Sequence, residues 1–140
     1  MAVAGLTAPM LRSDDPADPW SKGDLLETAA LANRLTSSAA PPKIICVAFP
    51  FLYRQRHILH AEFAGPANKP EGLQALRQAV KDLPKNSEIV IYCGCCPMVH
   101  CPNIRPAFRT LKEMGFTRVR VLDVPTNLHV DWTAKGYPVE

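Results

Sequence analysis

At 140 residues, 47% of them hydrophobic and 21% charged, the chain is long enough to bury the core of one globular domain and has an ordinary composition for it. A net charge of +3 from sixteen dispersed Lys and Arg argues against a nucleic-acid interface, and no apolar run is long enough to span a membrane. The five cysteines are odd in number and four of them crowd one loop, which argues against disulfide staples and points to redox, sulfur-transfer or metal chemistry.

Residues 1–23 read as an extended lead-in. Residues 1–11 are apolar and Ala-rich but lack a basic start and are short for a signal peptide. They fit the remnant of a trimmed export signal or a disordered natural terminus, so the expectation is a soluble protein, cytoplasmic or exported to a periplasm. Ser13-Asp14-Asp15-Pro16 is turn-forming, and Trp20 is expected to pack onto the domain as a structural aromatic. Asp24-Leu25-Leu26-Glu27 reads as a short strand, with Thr28 as N-cap of a helix over 29–35. Residues 43–49 are apolar and read as a second, central strand. A short helix over 51–56 and a strand near 61–64 follow. Residues 73–83 form an amphipathic helix whose stripe is Leu73, Leu76, Val80 and Leu83, ended by Pro84.

The stretch that organises the chain is 88–105. Ile89-Val90-Ile91-Tyr92 is the continuous β-branched and aromatic run of a strand buried on both faces. Cys93, Cys95, Cys96 and Cys101 follow, and then a helix over 104–114 with Ala107, Phe108, Leu111 and Met114 on one face. Gly115 gives that helix its left-handed stop. So Cys93 closes a buried strand, and Cys101 precedes a helix. Loops leaving the carboxyl ends of strands in open α/β sheets are where ligands bind. A thiol at a helix N-terminus has its thiolate favoured. Residues 119–124 read as a further strand, 125–130 as a loop at the same sheet edge, and 131–135 as a short turn or helix. Strands alternating with helices predict a parallel α/β sheet.

The ordered set Ile-Val-Ile-Tyr-Cys93, a loop, Leu111-Lys112-Glu113-Met114-Gly115-Phe116, Val119-Arg120-Val121-Leu122, Trp132 and Gly136-Tyr137-Pro138 resembles a rhodanese domain. Lys43-Ile44-Ile45-Cys46-Val47 and Arg56-His57-Ile58-Leu59-His60-Ala61 resemble that family's first long strand and its Gly-His-Ile-Pro-Gly-Ala segment. The resemblance covers residues 24–140. It implies a three-layer α/β sandwich, a central, mostly parallel sheet with helices on both faces. It also implies a sulfurtransferase, with Cys93 as catalytic residue carrying a persulfide between a small donor such as thiosulfate and a thiophilic acceptor, a protein thiol included. No cofactor and no metal are implied beyond that covalent sulfur, and neither nucleic acid nor membrane is an expected partner. His57 matches the family's structural histidine.

Two departures stand out. The family's usual Asp and Arg near the end of the first long strand are replaced by Cys46 and Ala48, and Cys46 reads as a small buried hydrophobe. The interval from Cys93 to Asn103, where the family's usual Arg falls, is ten steps, twice the usual length. The candidate substrate-binding residues are therefore the whole enlarged loop: Gly94, Cys95, Cys96, Pro97, Met98, Val99, His100, Cys101 and Asn103, with Arg105 supplying the missing cation. Cys95, Cys96 and Cys101 have three readings: resolving thiols, structural packing, or ligands of a soft metal (Cu or Zn) with His100 or Cys93. The alternatives to a sulfurtransferase are thus a Cys-rich metal-binding module or a thiol–disulfide redox protein on the same fold.

Overall fold

The computed structural model describes residues 18–140; the readings made of residues 1–17 lie outside it. Five strands form one sheet: β1 (Leu25–Glu27), β2 (Lys43–Cys46), β3 (Glu62–Phe63), β4 (Glu88–Tyr92) and β5 (Arg118–Asp123), in the order β1-β5-β4-β2-β3. Every pairing is parallel, with Ile45 opposite Ile91 and Ile91 opposite Val121. Ile89, Val90 and Ile91 are all fully buried. Successive strand residues point to opposite faces, so both faces of β4 are covered, as its unbroken apolar composition predicts.

The helices are α1 (Thr28–Leu35), α2 (Pro50–Gln55), α3 (Pro70–Val80), α4 (Ile104–Glu113) and α5 (Leu128–Asp131), with short 3-10 turns at Lys22–Asp24, Met98–His100 and Thr133–Lys135. Helices α3 and α4 pack against each other, α4 also against β4 and β5, and α1 against β1. On α4, Ile104, Ala107, Phe108 and Leu111 are buried, close to the expected stripe. Gly115, at φ 98°, ends it.

Three expectations change. Thr28 is the first residue of α1 and not its cap; Glu27 holds the cap position without a side-chain bond, and Thr28 is buried. The second strand stops at Cys46, because Pro50 opens α2 and so the chain must leave the sheet. The third helix runs Pro70–Val80, starting on a proline that suits a first helical turn. Trp20 behaves as expected: it is 8% exposed and stands edge-on to Phe108. His57 is structural too, stacked on Tyr53 and bonded through Nδ1 to the Tyr53 carbonyl at 2.8 Å. The last residues pair antiparallel with 57–59 through His57, Ile58 and Glu140. Among the described residues, no helix is long and apolar enough to cross a membrane.

The strand order reverses between β2 and β4. From β2 the chain moves outward to β3, then returns past β2 to β4 and on to β5. Loops leaving the carboxyl ends of β2 and β4 therefore diverge, and an open parallel sheet forms its crevice at such a switch point.

Candidate functional site

A cleft of about 640 Å³ occupies this switch point. Cys46, at the end of β2, and Cys93, one residue past β4, both line it. Tyr53 and Arg56 come to it from α2 and its C-cap, and Asn127 and His129 from the start of α5. Cys93 is 7% exposed, so only an edge of the thiol meets solvent.

The loop is built by local constraints. The Val47 N–H donates to the Tyr92 carbonyl at 2.9 Å, carrying the β2–β4 pairing to the rim of the cleft. Gly94 then adopts φ 75°, a left-handed conformation that only glycine takes freely. Its carbonyl accepts from the Leu128 N–H at 3.1 Å, and the Met98 N–H reaches the Pro125 carbonyl at 3.4 Å. These two bonds tie the cysteine loop to the loop after β5. The turn at Met98–His100 brings Cys101 back under Cys93.

Three sulfurs converge. The Sγ atoms of Cys93, Cys95 and Cys101 all lie within 4.8 Å of one another. Cys93 and Cys95 are 3.2 Å apart, and Cys96 is 3.0 Å from Cys95; all five cysteines are free thiols. Beneath them Asn103, fully buried, donates from Nδ2 to Cys93 Sγ at 3.5 Å, and its Oδ1 accepts from the Asn68 N–H at 2.9 Å.

The remaining loop residues divide by position. Gly94 and Cys95 line the cleft. Cys96, Met98 and Cys101 surround a small void behind Cys93. Pro97, Val99 and His100 are exposed on the outer side, and Val99, at the tip, is 70% exposed.

Arg105 differs from expectation. Its guanidinium pairs with Asp18 at 2.8 Å, donates to the carbonyls of Met98 and Cys101 at 3.0 and 3.3 Å, and lies over the Trp20 ring. It clamps the loop from outside and does not line the cleft. Asn103 likewise supports the thiol from below rather than facing a ligand. Arg56 is the cation that does line the cleft, at the C-cap of α2. Sequence reading passed over Arg56 and His129, because only the strand order brings both to this edge. The available signal was topological: each belongs to the segment that leaves the carboxyl end of a strand, Arg56 after β2 and His129 after β5.

The surroundings hold Cys93, Cys96 and Cys101 toward the protonated thiol. The Cys101 thiol favours a Cys93 thiolate, but the contact with Cys95 and burial together outweigh it, even with help from the Cys95 N–H and the Asn103 amide. Cys93 is pushed up to about 12. Cys101 is also raised, first by its hydrogen bond with Cys93 and then by burial, although the Asn103 and Ile104 N–H groups at the start of α4 oppose this. Burial raises Cys96 and pushes Cys46 up to about 11. So the amides at the start of α4 act on Cys101, the thiol that precedes the helix, and not on Cys93. Cys46 stands apart from the three-sulfur group, facing the Ala48 N–H and the Tyr92 hydroxyl.

Comparison with known proteins places this geometry in a fold. No family model matches the chain, and no curated protein gives a match. Solved structures do. The Alr3790 protein from Anabaena sp. superposes with a TM-score of 0.64 at 23% identity, over 82% of this chain and 81% of that one. The solution structure of the rhodanese-like domain of the same Anabaena protein gives 0.61 at 21%, over 84% and 78%. The BH2092 protein from Bacillus halodurans gives 0.63 at 23%, over 82% and 74%. The chain has the rhodanese-like fold, with a cysteine-rich loop at the end of its central strand.

Proposed function

We propose that the chain is a sulfurtransferase that carries sulfane sulfur on Cys93. The observation that supports this best is the place of Cys93: a thiol with one exposed edge at the carboxyl end of the central strand, on the wall of the cleft at the switch point. The Cys93 thiolate attacks the outer sulfur of thiosulfate, the S–S bond of the donor breaks, and sulfite leaves with the bonding pair. A persulfide remains on Cys93. A thiophilic acceptor, a small nucleophile or a protein thiol, then attacks the outer sulfur and returns Cys93 as thiolate. Arg56 on one wall and Asn127 on the other offer the cation and hydrogen-bond donors that an anionic donor and departing sulfite need. Asn103 holds the thiolate from below. No cofactor takes part.

Transfer from thiosulfate to cyanide tests the reading. Cys93→Ser is expected to abolish it, whereas Cys96→Ser retains it. Full activity in Cys93→Ser would remove the proposal. A second reading, a thiol–disulfide couple of Cys93 with Cys95, is favoured by their 3.2 Å contact. It predicts no sulfur uptake and the loss of two thiols on mild oxidation.

A further inference from the structure

We propose that Cys93, Cys95 and Cys101 form a three-coordinate site for a soft monovalent cation, copper(I) by its chemistry. The three sulfurs come from separate pieces of backbone: the end of β4, the far side of the Gly94 turn, and the residue two before the α4 cap. They nevertheless meet within 4.8 Å. A metal–thiolate bond of about 2.3 Å in trigonal geometry sets sulfurs about 4 Å apart. The observed group brackets that spacing. The Cys93–Cys95 pair, at 3.2 Å, must open slightly, and Cys95 sits on the half-exposed part of the loop where it can do so.

The donor set selects the ion. Thiolate ligands suit copper(I), zinc and iron–sulfur centres. Structural zinc takes four ligands. Among the described residues, the group that meets the spacing holds three sulfurs and no histidine or carboxylate. Cys96 touches Cys95 and faces Cys101 but falls outside the group that meets the mutual spacing, and His100 is exposed on the outer side. Three thiolates that meet the mutual spacing, with the fourth thiol outside it, fit a trigonal copper(I) ion.

The surroundings suit an anionic thiolate cluster. Metal-bound sulfur needs hydrogen-bond donors around it. The Asn103 Nδ2–H and the Cys95 N–H face Cys93, and the Asn103 and Ile104 N–H groups face Cys101. The Asn103 amide is oriented by its own partner: Oδ1 takes the Asn68 N–H, which leaves Nδ2 toward the sulfur. Arg105 fixes the Cys101 end by holding the Met98 and Cys101 carbonyls. Behind the sulfurs, Met98, Ile104, Leu122 and Val124 border a void of about 10 Å³, at the lower limit for a single water. The ion would therefore be shielded on one side and reached from the cleft through Cys95. On binding, three thiols release their protons and each gives a lone pair to the ion; no electron changes hands, because the metal arrives as copper(I). The site needs thiols and no persulfide, so it stands independently of sulfur transfer. Where both hold, metal and sulfur compete for Cys93.

The test uses the reduced full chain, titrated without oxygen with copper(I) against a chromogenic copper(I) chelator. One copper per chain is expected, with X-ray absorption showing three sulfurs at about 2.3 Å. Cys101→Ser and the half-exposed Cys95→Ser should each weaken retention by at least about 100-fold, the scale by which lost support around a metal is felt. Cys96→Ser and Cys46→Ala should leave it within about threefold. No copper retained against the chelator would overturn the proposal. So would a Cys96→Ser loss as large as that of Cys101→Ser, or a tighter hold on zinc with a fourth ligand in its absorption spectrum.

Discussion

Gly94→Ala tests how the cysteine loop is held. Gly94 has φ 75°, and a Cβ placed on it would lie 2.9 Å from the Leu128 Cβ and 3.5 Å from the Leu128 backbone nitrogen. The left-handed conformation costs an L-residue about 1–2 kcal/mol. Two carbons at 2.9 Å are well inside the roughly 3.5–4.0 Å at which they attract, and forcing a methyl into a packed site costs about 1–3 kcal/mol more. The sum is about 2–5 kcal/mol. With a urea slope near 2 kcal/mol/M, the unfolding midpoint falls by about 1–2.5 M. Gly136 is the control: it has φ 77°, with nothing within 4 Å of an added Cβ. Gly136→Ala should show the conformational part alone, about 1–2 kcal/mol. Urea titrations of the two variants side by side isolate the Leu128 contact. Equal losses in the two would refute the claim that Gly94 is required by the close approach of the loop after β5.

Three further outcomes follow from the same geometry. Arg105→Ala should cost about 2–3 kcal/mol through two lost bonds from a charged donor and raise amide exchange at 98–101, while Asp18→Asn, which removes only the half-exposed pair, stays under about 1 kcal/mol; a large change in thiosulfate affinity at unchanged stability would instead put Arg105 in the donor site. Glu88, with its side chain 14% exposed, is paired with Arg34 at 3.1 Å, and the Arg34 hydrogen bond holds its carboxyl below the ordinary 4.5 despite burial. A lowered folded value means the stabilisation is present above pH 4.5 and is lost as pH falls through that lowered value, so the stability gap between the native chain and Glu88→Gln, measured in urea, should close on acidification; a gap constant to pH 3 would contradict the pairing. Cys93 is raised from 9.0 to about 12. The folded state therefore holds its proton more tightly, its contribution to stability is intact below pH 9 and lost as pH rises through about 12, and alkylation of Cys93 by iodoacetamide should climb about tenfold per pH unit between 7 and 9; a plateau by pH 7 would show an activated thiolate.

The strands and most helices were legible because each carries its own period. The β-branched run Ile89–Ile91 reads as a doubly buried strand, and the α4 stripe places Phe108 and Leu111 inward with little dependence on the rest of the chain. The loop cysteines were visible for the same local reason. What escaped was non-local. Asp18 and Arg105 lie far apart in sequence, and without knowing that Asp18 and Trp20 lie against α4, Arg105 looks like a free cation beside a thiol-rich loop. Arg56 and His129 reach the cleft only through the switch in strand order. The ionisation of Cys93 also turned on distance: a sequence shows Cys93 at a strand end and Cys101 before a helix, but not that Cys95 presses on Cys93 or that Cys101 takes the helix amides.

The central claim is that Cys93 carries sulfur. The most direct measurement is the intact mass of the reduced, metal-free protein before and after exposure to thiosulfate at pH 9, followed by peptide mapping. The account predicts one added sulfur per chain, located on Cys93 and removed by cyanide. No added sulfur, or a sulfur mapped to Cys95, Cys96 or Cys101 with Cys93 unmodified, would contradict it.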